Sequence, residues 1–387
     1  MKTKFIVMAA MAAMFSMGFT ACSNNDEDPS GAVSQGTRIA FSDIHVDGPA
    51  HVTRGYATTA ANALSTIASF QTWAYDDTTD GLYMGTSASV GREVTYASST
   101  WGYTPQQFWP VNALNFVAVT PAAAPTGGTL THATASATNV VTLTSTFVNP
   151  TDVENQVDLM YAEADGITKD GVDATSGNAD DGNVPFTFKH ALSQIVFKGK
   201  LPTSGAVTKV TIAEISLCNI NSAGTLVFTS EGTWYGGNTQ PAVSGTPANF
   251  TLDSGDLEGS VFEAGVSGIV AGTAFDLTTS ENASKSNAWF MVPQTTAAWA
   301  GPAAIGATPA SGAYLKVRAQ LEKDGVVILG NAAADAFYIP LDVNWDRSKK
   351  YIYTIEFNGS NALTPITFSV AAQDWTDADP QPGDLSF

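Results

Sequence analysis

Cys22 is the residue with the clearest chemistry in this sequence. It directly follows Phe-Thr-Ala at positions 19–21, at the end of an uncharged run over residues 5–21 that two lysines precede. A basic start, an apolar run and small residues before a cut predict a secretory signal peptide at residues 1–21. Removal of this signal peptide would leave the thiol of Cys22 at the new N-terminus.

Residues 22–36 continue as a polar stretch without apolar periodicity, which predicts a flexible tether. The small residues before Cys22 resemble the lipobox of a bacterial lipoprotein. This resemblance implies that Cys22 is the lipidation site, and an incidental cysteine after a signal peptide is the alternative. The acidic run Asp26–Asp28 is similar to the export tag of surface lipoproteins, and a solvated linker is the alternative interpretation. We therefore expect a precursor that is anchored to the outer membrane through lipid and exposed at the cell surface.

The rest of the chain shows no pattern of catalytic or metal-binding residues. Its four histidines, His45, His51, His132 and His190, have neither the spacing of metal ligands nor a cysteine partner. The sequence also has no phosphate-binding loop and no nucleophile elbow. We therefore expect no enzyme and no cofactor. The formal net charge of −19 disfavours binding to a phosphate backbone, so we expect no nucleic-acid partner.

A polar loop at residues 163–183 separates two runs of strand-like sequence. It carries five aspartates between Asp165 and Asp181, whose oxygens could bind calcium, but their spacing is not that of an EF-hand. A solvated loop is the favoured interpretation. Because the loop is long and rich in Gly and Asp, we predict a domain boundary there. The predicted domains are residues 37–165 and 184–387.

Short strand-like runs fill the chain from residue 37 onward. They are separated by clusters of Gly, Asn, Asp and Thr, and this pattern predicts an all-β protein. In Tyr351–Phe357 the aromatic and aliphatic residues occupy the odd positions, which predicts a half-buried strand. The chain has 387 residues, and the part that follows the signal peptide is too long for one compact core. We therefore expect two domains.

Three stretches of the sequence carry a family pattern. They are Trp101–Pro121, with W-G-Y and F-W-P-V-N-A-L-N-F; Asp158–Phe197, with D-L-M-Y-A and F-T-F-K-H-A-L; and Tyr351–Trp375, with Y-I-Y and I-T-F. Together they resemble the fimbrillins, which are the lipoprotein pilins of type V fimbriae and their adhesin relatives. The resemblance implies two β-sandwich domains, each with a transthyretin-like strand order. It also implies a role in fimbriae and cell adhesion.

The resemblance further implies an assembly route with two kinds of partner. In fimbrillins an Arg-specific maturation protease cuts after the first strand. Loss of that strand opens a groove, and a strand of another fimbrial subunit fills it. Thr37–Val46 matches that first strand, and Arg54-Gly55 matches the cleavage site, for which an ordinary surface arginine is the alternative. The residues of the exchanged strand are then Ile39, Phe41, Ile44 and Val46. Independently of the family, an incoming strand restores ladder hydrogen bonds and fills side-chain pockets.

A C-terminal run is the candidate donor strand. Ile366, Phe368 and Val370 alternate as the first strand does, although they also suit a strand of their own domain. The tail after Asp374 has two prolines and few apolar residues, which makes it a poor donor. The sequence therefore leaves open whether the chain is a stalk subunit or a tip subunit that need not donate. The surface ligand, host or bacterial, is also open.

An alternative function is a non-polymerising surface lipoprotein that binds glycan. Trp73, Trp101, Tyr103 and Trp109 lie close in sequence, and Trp234-Tyr235 stands before a Gly-Gly turn. Either set could form an aromatic platform for sugar rings, while core packing is the competing interpretation for such residues. A glycan-binding protein of this kind should stay monomeric and keep Cys22, whereas a pilin should lose its N-terminus.

Overall fold

The computed structural model describes most of the chain between residues 36 and 374. The described residues are 36–42, 44–46, 67–169, 182–229, 242–257, 259–278, 288–296, 298–299, 304–305, 312–331, 335–359 and 366–374. They form strands, turns and one 3₁₀ turn at Val153–Asn155, and none of them lies in an α-helix. No helix among these residues is long and apolar enough to cross a membrane.

Twenty-four strands are formed by the described residues. In chain order they are β1 (Ile44–Val46), β2 (Ser69–Asp76), β3 (Leu82–Met84), β4 (Arg92–Ala97), β5 (Thr100–Gly102), β6 (Leu114–Thr120), β7 (Thr129–Ala137), β8 (Val140–Val148), β9 (Met160–Ile167), β10 (Phe186–His190), β11 (Ser193–Lys200), β12 (Lys209–Thr229), β13 (Ala242–Asp253), β14 (Val261–Glu263), β15 (Ala274–Asp276), β16 (Trp289–Met291), β17 (Thr295–Thr296), β18 (Ala304–Ile305), β19 (Tyr314–Lys323), β20 (Val326–Leu329), β21 (Ala336–Pro340), β22 (Val343–Asn344), β23 (Lys349–Phe357) and β24 (Ile366–Asp374).

Three sheets contain nearly all of these strands. The first sheet runs β1-β10-β9-β6-β2-β4-β5, with β3 paired to β2. The second runs β15-β11-β23-β24, with β16 paired to β11. The third runs β18-β21-β19-β12-β8-β7, with β13 and β14 paired to β12 and β20 paired to β19. Parallel pairing occurs between β1 and β10 and between β11 and β23.

Strand β6 lies at the centre of the first sheet and is covered on both faces. All seven of its residues are buried. Because successive side chains of a strand point to opposite faces, Phe116 and Ala118 enter one core, and Val117 and Val119 enter another. The second of these cores also contains Leu143 and other residues of β8, so the first sheet packs against the third.

The long strand β12 contributes to two cores. Its Ile212 and Leu217 lie in the core that also contains Phe197 and Tyr353 of the second sheet, whereas its Leu226 lies in the core shared with the first sheet. The third sheet therefore packs against the second through one part of β12 and against the first through the other. The prediction of an all-β protein built of two sandwiches is confirmed.

Hydrogen-bonded pairs cross the predicted domain boundary in both directions. Strand β10 follows the loop in sequence but pairs with β9 of the first sheet. Strands β7 and β8 precede the loop but belong to the third sheet, where β8 pairs with β12. Residues 37–387 form one compact unit. The bounds 37–165 and 184–387 stay a prediction, and the signal peptide 1–21 lies outside the described residues.

Candidate functional site

The segment 37–42 is hydrogen-bonded along both of its edges. On one side its backbone meets residues 107–109 and on the other residues 182–184. A strand held on two sides closes a gap that would otherwise leave two rows of unpaired backbone groups. The four N···O distances are 3.0 Å (Ile39 N to Gln107 O), 2.9 Å (Trp109 N to Thr37 O), 2.8 Å (Ala40 N to Gly182 O) and 2.9 Å (Val184 N to Ala40 O).

Strand β1 continues the same segment beside β10. It runs parallel to β10, with Ile44 opposite Phe186 and Val46 opposite Phe188. Ala40 is bridged to Asn183. The two pairing positions, Ala40 and Ile44, are therefore four positions apart on the segment, whereas Asn183 and Phe186 are three positions apart on the partner. The segment holds one more residue than a continuous ladder needs, which is the arrangement of a β-bulge.

The apolar side chains predicted for the exchanged strand all point into one core. Ile39, Phe41, Ile44 and Val46 are buried, and they belong to the core on the face of β6 that carries Phe116. Phe41 is surrounded by four aromatic rings, one stacked and three edge-on. Its ring centroid lies 5.8 Å from that of Phe186 (stacked), 5.6 Å from Phe70, 5.7 Å from Tyr103 and 6.4 Å from Phe116. We call these four rings the aromatic pocket.

Two aromatic residues also hold the backbone of this region. The Tyr103 hydroxyl donates a hydrogen bond to the Ile39 carbonyl oxygen at 2.9 Å, and burial raises the pKa of Tyr103. The Trp109 indole Nε1–H donates to the Gly182 carbonyl oxygen at 3.0 Å. Gly182 has a φ of +67°, and a Cβ there would clash with the Arg38 carbonyl oxygen. Glycine is therefore required where the two strands approach most closely.

We call the cleft that contains the segment the slot, and define it by residues 107–109, residues 182–188 and the aromatic pocket. Sequence reasoning identified the segment but not these walls. Residues 107–109 lie in an irregular stretch before Pro110, and their hydrogen bonds to the segment come from the backbone, which leaves no signature in the sequence. The aromatic residues of the pocket were visible, but nothing in their spacing indicated that they surround Phe41.

The remaining predicted site residues are either distant from the slot or not described. Cys22, Arg54 and Gly55 lie outside the described residues. The candidate donor residues Ile366, Phe368 and Val370 lie on β24, which pairs with β23 at an edge of the second sheet. Ile366 is buried in the core of that sandwich, whereas Val370 is 50% exposed. In this structure β24 therefore forms a strand of its own sandwich.

Most of the predicted sugar platform is part of the protein core. Trp73, Tyr103 and Trp109 are buried, and Trp101 is half-buried against the rings of Phe70 and Tyr96. The pair Trp234-Tyr235 lies outside the described residues. An open groove of about 720 Å³ does exist beside β4 and β5. Its lining includes Arg92, Glu93, Thr95, Thr100, Tyr103 and Gln106.

The buried titratable groups in the described part of the chain are held by local partners. His132 Nδ1 lies 3.0 Å from Ser145 Oγ, and burial lowers the pKa of His132 to about 4. His190 Nδ1 lies 3.0 Å from Asp158 Oδ1. Burial raises the pKa of the Cys218 thiol to about 11, so it is protonated at neutral pH. No group of three His, Cys, Asp or Glu side chains among the described residues is placed to hold a metal.

Comparison with known proteins identifies the family. A family model described as fimbrillin-like matches residues 53–375. A solved fimbrial protein from Bacteroides vulgatus ATCC 8482 is similar in fold, with 18% identity, a TM-score of 0.54 and coverage of 88% of this chain and 99% of that chain. The tip fimbrial protein Mfa3 from Porphyromonas gingivalis, with a C-terminal truncation, is similar at 12% identity and a TM-score of 0.33, over 80% of this chain and 94% of that chain. No curated protein matches the sequence.

The family match agrees with the family pattern in the sequence, and the fold of the Bacteroides vulgatus protein agrees with the all-β architecture. The family model covers most of the chain, including the three stretches that resemble fimbrillins. The similarity to the Bacteroides vulgatus protein, at 18% identity, concerns the fold alone. The predicted resemblance is confirmed: the chain belongs to the fimbrillin-like family.

Proposed function

We propose that this protein is a structural or tip subunit of a surface fimbria, assembled by removal of its first strand and strand exchange. The observation that carries the proposal is the slot. One segment at the start of the described chain fills it with four buried apolar side chains, and residues 37–42 of that segment are hydrogen-bonded on both edges. Loss of that segment would leave an apolar cleft with unpaired backbone groups, which a strand of another subunit could fill.

The position of the predicted cleavage site suits this role. Arg54-Gly55 stands between β1, which ends at Val46, and β2, which begins at Ser69. A cut there would separate the segment from the rest of the chain without interrupting any described strand. The family match spans residues 53–375, which is most of the part that would remain after such a cut. The protease in this proposal is Arg-specific.

Before the cut, the same proposal places the protein on the outer membrane. Cys22 would carry the lipid, and residues 22–36 would link it to the first segment. Release of the segment would then separate the folded protein from its anchor. Cleavage and incorporation into the fimbria would therefore be coupled, because the residues that carry the lipid are on the piece that leaves the slot.

The experiment that tests the proposal is mass spectrometry of the N-terminus of protein recovered from the cell surface. We expect mature molecules to begin at Gly55 and to migrate in stable oligomers. The variant Arg54→Gln should accumulate as the lipidated precursor and enter no oligomers. Arg38→Gln is the matched control, because Arg38 lies in the hydrogen-bonded segment and its removal should leave processing unchanged.

An acylated Cys22 on every wild-type molecule would contradict processing at Arg54. It would favour the alternative of a non-polymerising surface lipoprotein that binds glycan. The structure gives that alternative less support than the sequence did, because Trp73, Tyr103 and Trp109 are core residues. Retention of the monomeric protein in a polysaccharide affinity gel would be its direct test.

A further inference from the structure

We infer that the slot fits a regular β-strand, and that the chain's own first segment occupies it with one residue too many. The inference rests on the proposed strand exchange and specifies the partner. The partner is a strand with apolar side chains at four alternate positions, of which the second is aromatic. Its chemistry is that of an extended segment supplied by another fimbrial subunit.

The first argument is the parity of the buried residues. Ile39 and Phe41 occupy odd positions, whereas Ile44 and Val46 occupy even positions. In a regular strand, side chains of opposite parity point to opposite faces. All four nevertheless lie in the same core. The alternation that begins at Ile39 therefore does not continue unbroken to Val46, in agreement with the pairing of Ala40 and Ile44 with positions only three apart on the partner.

The second argument is energetic. An extra residue interrupts the hydrogen-bond ladder locally, and bulges are rare between parallel strands. A regular strand could occupy the same four side-chain positions and keep the ladder continuous. The slot should therefore bind a regular strand more tightly than it binds the first segment. Exchange needs such a difference, because replacing one strand by an equally good one has no favourable free energy.

The side-chain requirement follows from the walls of the slot. The position of Phe41 is surrounded by the aromatic pocket, so an incoming strand needs an aromatic side chain there. The third and fourth positions lie opposite Phe186 and Phe188 of β10, where the chain itself uses Ile44 and Val46. Between them His45 is exposed, so the intervening positions of the partner can be polar.

The first test is a deletion in the intact chain. Deleting Asp43 turns the segment into Ile-Ala-Phe-Ser-Ile-His-Val, in which apolar residues alternate without interruption. We expect the urea midpoint of this variant to exceed that of the wild type. Deletion of Gly48 is the matched control, because it shortens the chain equally but lies beyond β1, and it should leave the midpoint unchanged. A lower midpoint for the Asp43 deletion would overturn the inference.

The second test measures exchange directly. A recognition sequence for a site-specific protease replaces residues 50–56, and the folded chain is cut and mixed with labelled peptides. We expect the regular peptide TRIAFSIHV to displace the segment with a Kd at least tenfold lower than that of TRIAFSDIHV. The peptide TRIAASIHV, which lacks the aromatic residue, should bind at least a hundredfold more weakly than TRIAFSIHV.

The outcomes separate the two proposals. Equal binding of the nine- and ten-residue peptides would overturn the inference about register and leave strand exchange standing. Entry of neither peptide would contradict strand exchange itself. In that case the proposed partner strand would be wrong as well. The comparison of the Asp43 and Gly48 deletions would still decide whether the segment is one residue too long for its slot.

Discussion

Two segments of this chain share the pattern I-x-F-S and have opposite environments. Residues 39–42 lie in the slot, where Ile39 and Phe41 are buried and the backbone is hydrogen-bonded on both edges. Residues 366–369 open β24, which pairs with β23 in a continuous register. In the described part of the second sheet β24 is an edge strand, and beyond Ile366 its described side chains are exposed.

The difference shows that a local sequence pattern does not decide whether a strand is enclosed. Both segments alternate apolar and polar residues, which is what a strand with one buried face requires. The first segment is enclosed because residues 107–109 and 182–184 approach it from both sides. Among the described strands β24 pairs with β23 alone, so its loss would expose less apolar surface. The stability of the fold should therefore depend on the first segment far more than on the middle of β24.

The largest expected effect is that of Phe41→Ala. Removing the Phe41 ring, which the aromatic pocket surrounds, should lower the free energy of unfolding by about 3–5 kcal/mol, because a large buried side chain is lost and a cavity remains. The measurement is urea unfolding of the chain without its signal peptide. If Phe41→Ala unfolded at nearly the same urea concentration as the wild type, the contrast between the two segments would be wrong.

Gly182→Ala tests the close approach between the segment and its neighbour. We expect a loss of about 2–3 kcal/mol, of which about 1 kcal/mol comes from placing alanine at a positive φ and the rest from the clash with the Arg38 carbonyl oxygen. Gly205→Ala is the matched control, since Gly205 has a similar φ of +66° and no atom within 4 Å of the place that a Cβ would take. Equal losses for the two variants would show that the segment is not tightly held at Gly182.

Lowering the pH should reduce the free energy of unfolding through His132, which lies outside both segments. Burial lowers the pKa of His132 from 6.5 to about 4, so the unfolded chain takes up a proton that the folded chain excludes. The stability contribution of neutral His132 is complete above pH 6.5 and is lost as the pH falls towards 4, by up to about 3 kcal/mol. Urea midpoints between pH 6.5 and pH 4.5 measure this loss. The variant His132→Gln should show a flatter profile, and an unchanged slope would contradict the assignment.

The smallest expected effect is that of Val370→Thr on β24. Val370 is 50% exposed, and threonine keeps the branched shape that suits a strand. The free energy of unfolding should change by less than about 0.5 kcal/mol. A loss approaching that of Phe41→Ala would mean that β24 is covered in solution, for example by a second copy. A sedimentation coefficient above that of a monomer, measured on the same sample, would identify that case.

The sequence predicted the first segment better than it predicted the slot. Alternation identified Ile39 and Phe41 as buried residues of a strand, and the structure places both in a core. Alternation also predicted the strand at Tyr351–Phe357, which the structure contains within β23, because alternation is a property of a few neighbouring residues. The pairing of β8 with β12 could not be predicted in this way, because it joins residues about 80 positions apart through backbone groups that all sequences share.

The amino-acid sequence by itself determined the all-β class, the family pattern and which side chains of the first segment are apolar, whereas the candidate lipid and cleavage sites followed from resemblance to known proteins. Those features depend on residue type and on spacing within short stretches. Only the tertiary structure decided that residues 107–109 and 182–184 enclose the segment, that Phe41 enters the aromatic pocket, and that the segment is one residue longer than its partner. Long-range backbone pairing sets these features. The register of two distant strands is fixed by the side chains that they bury in their shared core.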